Sequence, residues 1–131
     1  MKSLFKITSI ATAVLFTFLF IQIFFMPGAF ITDMGLTPDT ASTVLIRRAS
    51  LFMLGLALLM FISRNIPVSK ARINLSISMS VIFFSLAING ISGYLYGNYN
   101  SSIFIAITLE SILGVAFVLN IIIDGKSVKG Q

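Results

Sequence analysis

Residues 103–123 read IFIAITLESILGVAFVLNIII, twenty-one residues with one charge, Glu110. At about 1.5 Å of rise per residue, a helix of that length covers about 30 Å, the hydrocarbon thickness of a bilayer. Three more runs of similar character precede it, at 7–26, 44–63 and 73–96. The composition agrees with them. Of 131 residues, 57% are apolar and only 10% charged, where a soluble domain carries about 25% charge. So little charge cannot cover a soluble surface, and so apolar a chain does not stay disordered. The third run begins with the alternation Leu75-Ser76-Ile77-Ser78-Met79-Ser80, a strand-like period. A lone strand leaves its backbone groups unpaired in lipid, so helix is the reading for all four runs. The fold expected is an all-α membrane protein: a single integral membrane domain over 1–131, folded as a left-handed antiparallel bundle of four transmembrane helices.

The ends of the runs set the details. Lys2 and Lys6 precede the first run, as in a signal peptide. The run exceeds the 7–15 residues of a signal's apolar region, and no A-x-A site follows, so it reads as a retained span. The Phe-rich stretch 16–25 reads as lipid-facing bulk. Residues 27–43 form the longest loop, broken by Gly28, Gly35 and Pro38. Within it Thr37-Pro38-Asp39 resembles a helix start, with Thr37 as cap and Asp39 meeting the helix dipole. Asp33 and Asp39 read as solvated loop carboxylates rather than a cation site.

Nine Lys and Arg against four Asp and Glu give a net charge of +5. These cations sit at the ends of apolar runs, so they report orientation in a membrane rather than nucleic-acid binding. With the N-terminus in the cytoplasm, Lys2, Lys6, Arg64, Lys70, Arg72, Lys126 and Lys129 lie inside, and only Arg47 and Arg48 lie toward the outside. Both termini are therefore expected in the cytoplasm, in the inner membrane of a bacterium. The chain has no Cys and no His. Disulfide and thiolate chemistry are excluded, and zinc, haem and histidine acid–base catalysis lack their usual groups. No metal, cofactor or catalytic residue is assigned, and the expectation is a protein that is not an enzyme.

The strongest polar side chains fall at one depth. Counted from the cytoplasmic end of each run, Gln22 lies about 24 Å in, Arg48 about 22 Å, Asn89 about 24 Å and Glu110 about 20 Å. A charge near a helix centre costs about 2.5–3.5 kcal/mol on insertion scales, so Glu110 needs a partner, a proton or water. An arginine cannot lose its proton and is the natural partner. The expected pair is Glu110 with Arg48 or Arg47, inside a buried polar layer that includes Asn89 and Gln22. Arg48 is favoured because it shares a face with Phe52, Gly55 and Leu59, and Gly55 admits a close helix; Arg47 would then snorkel outward. Ala106, Glu110 and Gly114 share one face of the fourth span, and Ser85, Asn89 and Gly93 one face of the third, which points the layer into the bundle. Such a layer can lock the helices, form a pocket open to the outside, or meet a partner subunit.

Met26-Pro27 closing the first span, a Gly-containing loop, the run from Arg47-Arg48-Ala49-Ser50 to Gly55-Leu56-Ala57 opening the second, and Leu109-Glu110 early in the fourth together resemble small uncharacterised bacterial four-helix inner-membrane proteins of the domain-of-unknown-function type. That resemblance implies the architecture and no activity. Small multidrug transporters also have four spans, but their essential Glu lies in the first, where this chain has Gln22, and no fluoride-channel motif is present. The functional expectation is a small accessory or stabilising subunit of a larger membrane complex, surrounded by lipid. The alternative is an oligomeric transporter or channel, assembled from copies of itself, with a polar pocket around Glu110.

Overall fold

The computed structural model describes residues 2–130, with side chains from Leu4 onward. Five helices follow in order: α1 (Lys2–Phe25), α2 (Pro27–Asp33), α3 (Thr40–Ser63), α4 (Lys70–Leu95) and α5 (Ile103–Lys129). The four long ones are each apolar and long enough to cross a membrane, and there is no strand among the described residues. The chain is an all-α bundle of four candidate spans.

The bundle is two hairpins. α1 packs along α3, α4 packs along α5, and α1 joins the pairs by packing on α5. The Cα atoms of α3 and α4 nowhere come within 8 Å of each other, although only residues 64–69 separate the two helices. Three phenylalanines from three helices fill the centre. Phe16 of α1 stacks on Phe83 of α4 at 5.4 Å between centroids, and Phe83 stacks on Phe117 of α5 at 6.0 Å. Phe5, Met60 and Met79 close around them. Phe16 is 1% exposed, so the reading of 16–25 as lipid-facing bulk is corrected at its first residue. Phe18 and Phe25 do face outward. A helix turns 100° per residue, so a Phe-rich run necessarily supplies both faces.

The loop expected at 27–43 begins as helix. Pro27 stands at the first position of α2, where its missing N–H leaves no bond unmade. Gly35, with φ of 85°, then turns the chain in the left-handed region that suits glycine. The cap of α3 is Asp39, not Thr37. Its carboxylate accepts from Ser42 N at 2.6 Å, and Ser42 Oγ accepts from Asp39 N at 3.0 Å. This reciprocal pair satisfies two otherwise orphan N–H groups. At the same end of the bundle the hairpins are tied across loops. Asn100 Nδ2 and Ser102 Oγ donate to the Asp33 carbonyl at 2.9 and 2.8 Å, and Asn100 N donates to Met34 O at 3.1 Å.

Close approach within the second hairpin depends on Gly90: a Cβ there would stand 2.8 Å from Ile107 Cγ1. On α3 a Cβ on Gly55 would meet nothing within 4 Å. Gly90→Val should therefore destabilise the bundle by about 1–3 kcal/mol through overpacking. Gly55→Ala should leave the intact chain's unfolding midpoint unchanged or slightly raised; denaturant titration in detergent followed by circular dichroism reads both. The hydrogen bonds from Ser42, its backbone N–H foremost, hold the Asp39 carboxyl below the usual carboxylate range. The cap is thus complete above the unfolded value, about pH 3.9, and is lost as pH falls through the lower folded value. Amide exchange at Ser42 and Thr43 should accelerate, beyond its intrinsic pH dependence, only in acid below that range; Asp39→Asn should remove this pH dependence while keeping partial protection.

Candidate functional site

The polar residues that the fold buries are not the expected ones. Thr8, Ser9 and Thr12 on α1, Arg72, Ser76 and Ser80 on α4, and Asn120 and Asp124 on α5 are all at most 6% exposed. Most of them fall at four-residue spacing: Arg72–Ser76–Ser80, Asn120–Asp124 and Thr8–Thr12. Each helix thereby presents one narrow polar stripe to its neighbours. The stripes meet at the end of the bundle that carries Lys6, Arg64 and the 64–69 loop.

At the centre is an ion pair. Arg72 Nε donates to Asp124 Oδ2 at 2.7 Å and Nη2 donates to Oδ1 at 2.9 Å, a two-pronged bond with both side chains at most 3% exposed. Arg72 Nη1 donates to Ile66 O at 3.3 Å, tying the pair to the loop. The Phe5 ring covers the guanidinium at 4.5 Å, a cation–π contact that recruits α1. The local sequence puts Arg72 here. Ser69 caps α4 by accepting from Arg72 N at 3.3 Å, so Arg72 falls in the first turn with its side chain toward α5. Behind the pair, Asn120 Nδ2 donates to Ala116 O at 3.0 Å and lies 3.5 Å from Thr8 Oγ1. Ser76 Oγ donates to Arg72 O at 3.0 Å. Ser9 Oγ and Thr12 Oγ1 are buried without a hydrogen-bond partner.

The apolar runs at 73–96 and 103–123 leave Arg72 just before the third span and Asp124 just after the fourth. Helix α4 begins at Lys70 rather than 73, and α5 runs to Lys129 rather than stopping at 123, so both residues lie inside helices. The signal was present. Arg72 and Asp124 stand at similar distances on either side of the Gly97–Ser102 turn, and each continues a stripe of Ser or Asn at four-residue spacing.

The expected layer is rearranged. Arg47, Arg48 and Asn89 are exposed on the bundle surface, and Glu110 and Gln22 are half-buried. Arg72–Asp124 is the one ion pair among the described residues, so Glu110 pairs with neither Arg48 nor Arg47. The reason is the helix order: α3 packs on α1 and not on α5. The choice between the arginines also reverses. Arg47 donates through Nε to Phe24 O at 3.1 Å, binding the carbonyl end of α1. Arg48, Phe52, Gly55 and Leu59, expected to face inward, face outward. The inward stripe of α3 runs through Ser50, Ala57 and Met60.

Beside the ion pair opens a cleft of about 290 Å³ lined by Lys6, Arg64, Asn65, Ile66, Pro67 and Arg72. Arg64 lies with its guanidinium 3.8 Å over the Phe61 ring and donates to the Phe61 carbonyl. Among the described residues no group of three or more His, Cys, Asp or Glu is placed to hold a metal ion. Chemically, the arrangement offers a closed ion pair, which binds helices together, and a cationic recess beside it.

No protein-family model matches the chain, and no curated protein or solved structure matches it either. The site therefore stands on its geometry. Removing one member of a buried pair strands the other, at a cost of about 3–5 kcal/mol, whereas replacing both with apolar residues is often neutral. Asp124→Ala should destabilise the bundle by that amount, and Arg72→Met with Asp124→Leu should recover most of it, as measured by denaturant midpoints in detergent.

Proposed function

We propose that this chain is a non-catalytic multi-pass protein of a bacterial cytoplasmic membrane that serves as an accessory or stabilising subunit of a larger membrane complex. One observation carries the reading. Arg48 and Asn89 on the bundle surface, with the half-buried Glu110 and Gln22, lie at a common depth in the spans, and no side-chain partner within the described chain meets them. Facing lipid, each charge costs about 2.5–3.5 kcal/mol or more. Facing another protein, they gain the interhelical partners that polar groups use in membranes. The surface around Arg48 suits a neighbouring helix, because Gly55 leaves its backbone open to close approach. Only 17% of the most apolar stretch of α3 is buried within the chain, against 33% for α1 and α4.

The seven-to-two division of basic residues supports an orientation with both termini in the cytoplasm. The absence of Cys and His from the sequence supports a non-catalytic role. One feature favours a second reading, an oligomeric transporter or channel around Glu110. This carboxylate is half-covered and without a counter-ion, so copies of the chain packed there would enclose it.

Native mass spectrometry after gentle extraction from the source membrane should find a companion protein at fixed stoichiometry. Arg48→Ala should release that companion while the chain keeps its own helicity. A bare monomer or homo-oligomer would overturn the subunit reading. In the second reading, Glu110→Gln abolishes flux in liposomes at unchanged expression.

A further inference from the structure

The basic cleft at the α3–α4 loop lies about one helical turn from the end of an apolar groove, and we infer that together they form a binding site for an anionic phospholipid, with its phosphate in the cleft and an acyl chain in the groove. The groove, about 460 Å³, lies between α1 and α3; Ile10, Val14, Thr17 and Ile21 line it from α1, Leu58 and Phe61 from α3. Lys6 precedes Ile10 by one helical turn on the same face of α1. Arg64 follows Phe61 by one turn on the same face of α3, and its guanidinium rests on that ring. Two apolar stripes therefore each end in a cation, and the two cations line one recess.

The dimensions fit one lipid leaflet. From Ile10 to Ile21 the groove runs about 16 Å along α1, roughly half of a hydrocarbon core of about 30 Å. The cleft lies at the last residue of α3 and just ahead of the first of α4, the level at which headgroups begin. At about 290 Å³ the cleft is at the small end of ligand pockets, a size suited to a headgroup phosphate. No carboxylate lines it. Asp124, the nearest acid described, is committed through both oxygens to Arg72. The positive charge of Lys6 and Arg64 is thus left to an anion from outside, and Asn65 supplies an amide donor beside them. This inference does not depend on the subunit reading.

The test is native mass spectrometry of the detergent-solubilised full chain with dioleoyl phosphatidylglycerol or dioleoyl phosphatidylcholine, which share acyl chains and differ in net charge. The phosphatidylglycerol adduct should dominate. Lys6→Gln and Arg64→Gln should each weaken it about fivefold, with circular dichroism unchanged because Lys6 is exposed and Arg64 only half-buried. Lys126→Gln with Lys129→Gln should leave it unchanged. Val14→Trp, which fills the groove, should weaken both lipids. Equal binding of the two lipids, or adducts indifferent to Lys6 and Arg64, would overturn the site. So would displacement of phosphatidylglycerol by inorganic phosphate at millimolar concentration, which would make the cleft a site for the free anion. A lipid-free dimer that Val14→Trp dissociates would instead assign the groove to a second copy of the chain.

Discussion

A guanidinium and a carboxylate taken out of water must find each other, and in this protein Arg72 and Asp124 do so across two helices. The two-pronged bond has little tolerance for sliding. It therefore fixes the vertical register of α4 on α5, and with it the meetings of Gly90 with Ile107 and of Gly114 with Phe84. Phe5 lies over the same guanidinium, so the pair also sets where α1 enters. Helix α1 carries α3 along its other side, and the stacked rings of Phe16, Phe83 and Phe117 fill the space so defined. The opposite end is held by weaker means, through hydrogen bonds from Asn100 and Ser102 to one loop carbonyl.

This arrangement separates the molecule's charges by role. Arg72 and Asp124 neutralise each other inside. Arg47 serves the carbonyl end of α1. Lys6 and Arg64 border a recess without an acid. Arg48, Asn89 and Glu110 stand on or near the outer surface of the bundle. The last two groups have no counter-ion within the described chain.

Much of the fold is legible in the sequence because apolar run length is a strong signal in lipid. Four runs, short connections and the absence of any alternative to helix give the bundle directly. Azimuth is less legible. Matching depths for Gln22, Arg48, Asn89 and Glu110 say how far each residue lies along its helix and nothing about which way it points. The inference that they converge required α3 to touch α5, and packing order is not written in hydropathy. Phe16 illustrates the same limit of the signal, since hydropathy does not tell a core ring from a lipid-facing one. Arg72 and Asp124 are hard to read because charges at the end of an apolar run look like boundary markers. The cap at Ser69 and the hairpin register are what draw them inside.

The two-hairpin plan also bears on the order in which the protein is made. Synthesis from the N-terminus delivers α1 and α3 before α4 and α5. During that interval the hydroxyl of Thr8, which ends up buried 3.5 Å from Asn120 Nδ2, has no second hairpin beside it. The first half of the molecule is thus made before the partners of Thr8 and Phe5, and the later arrival of Asn120 and Arg72 supplies them. The connection at 64–69, short and without contact between the helices that it joins, keeps the second hairpin close to where it must dock.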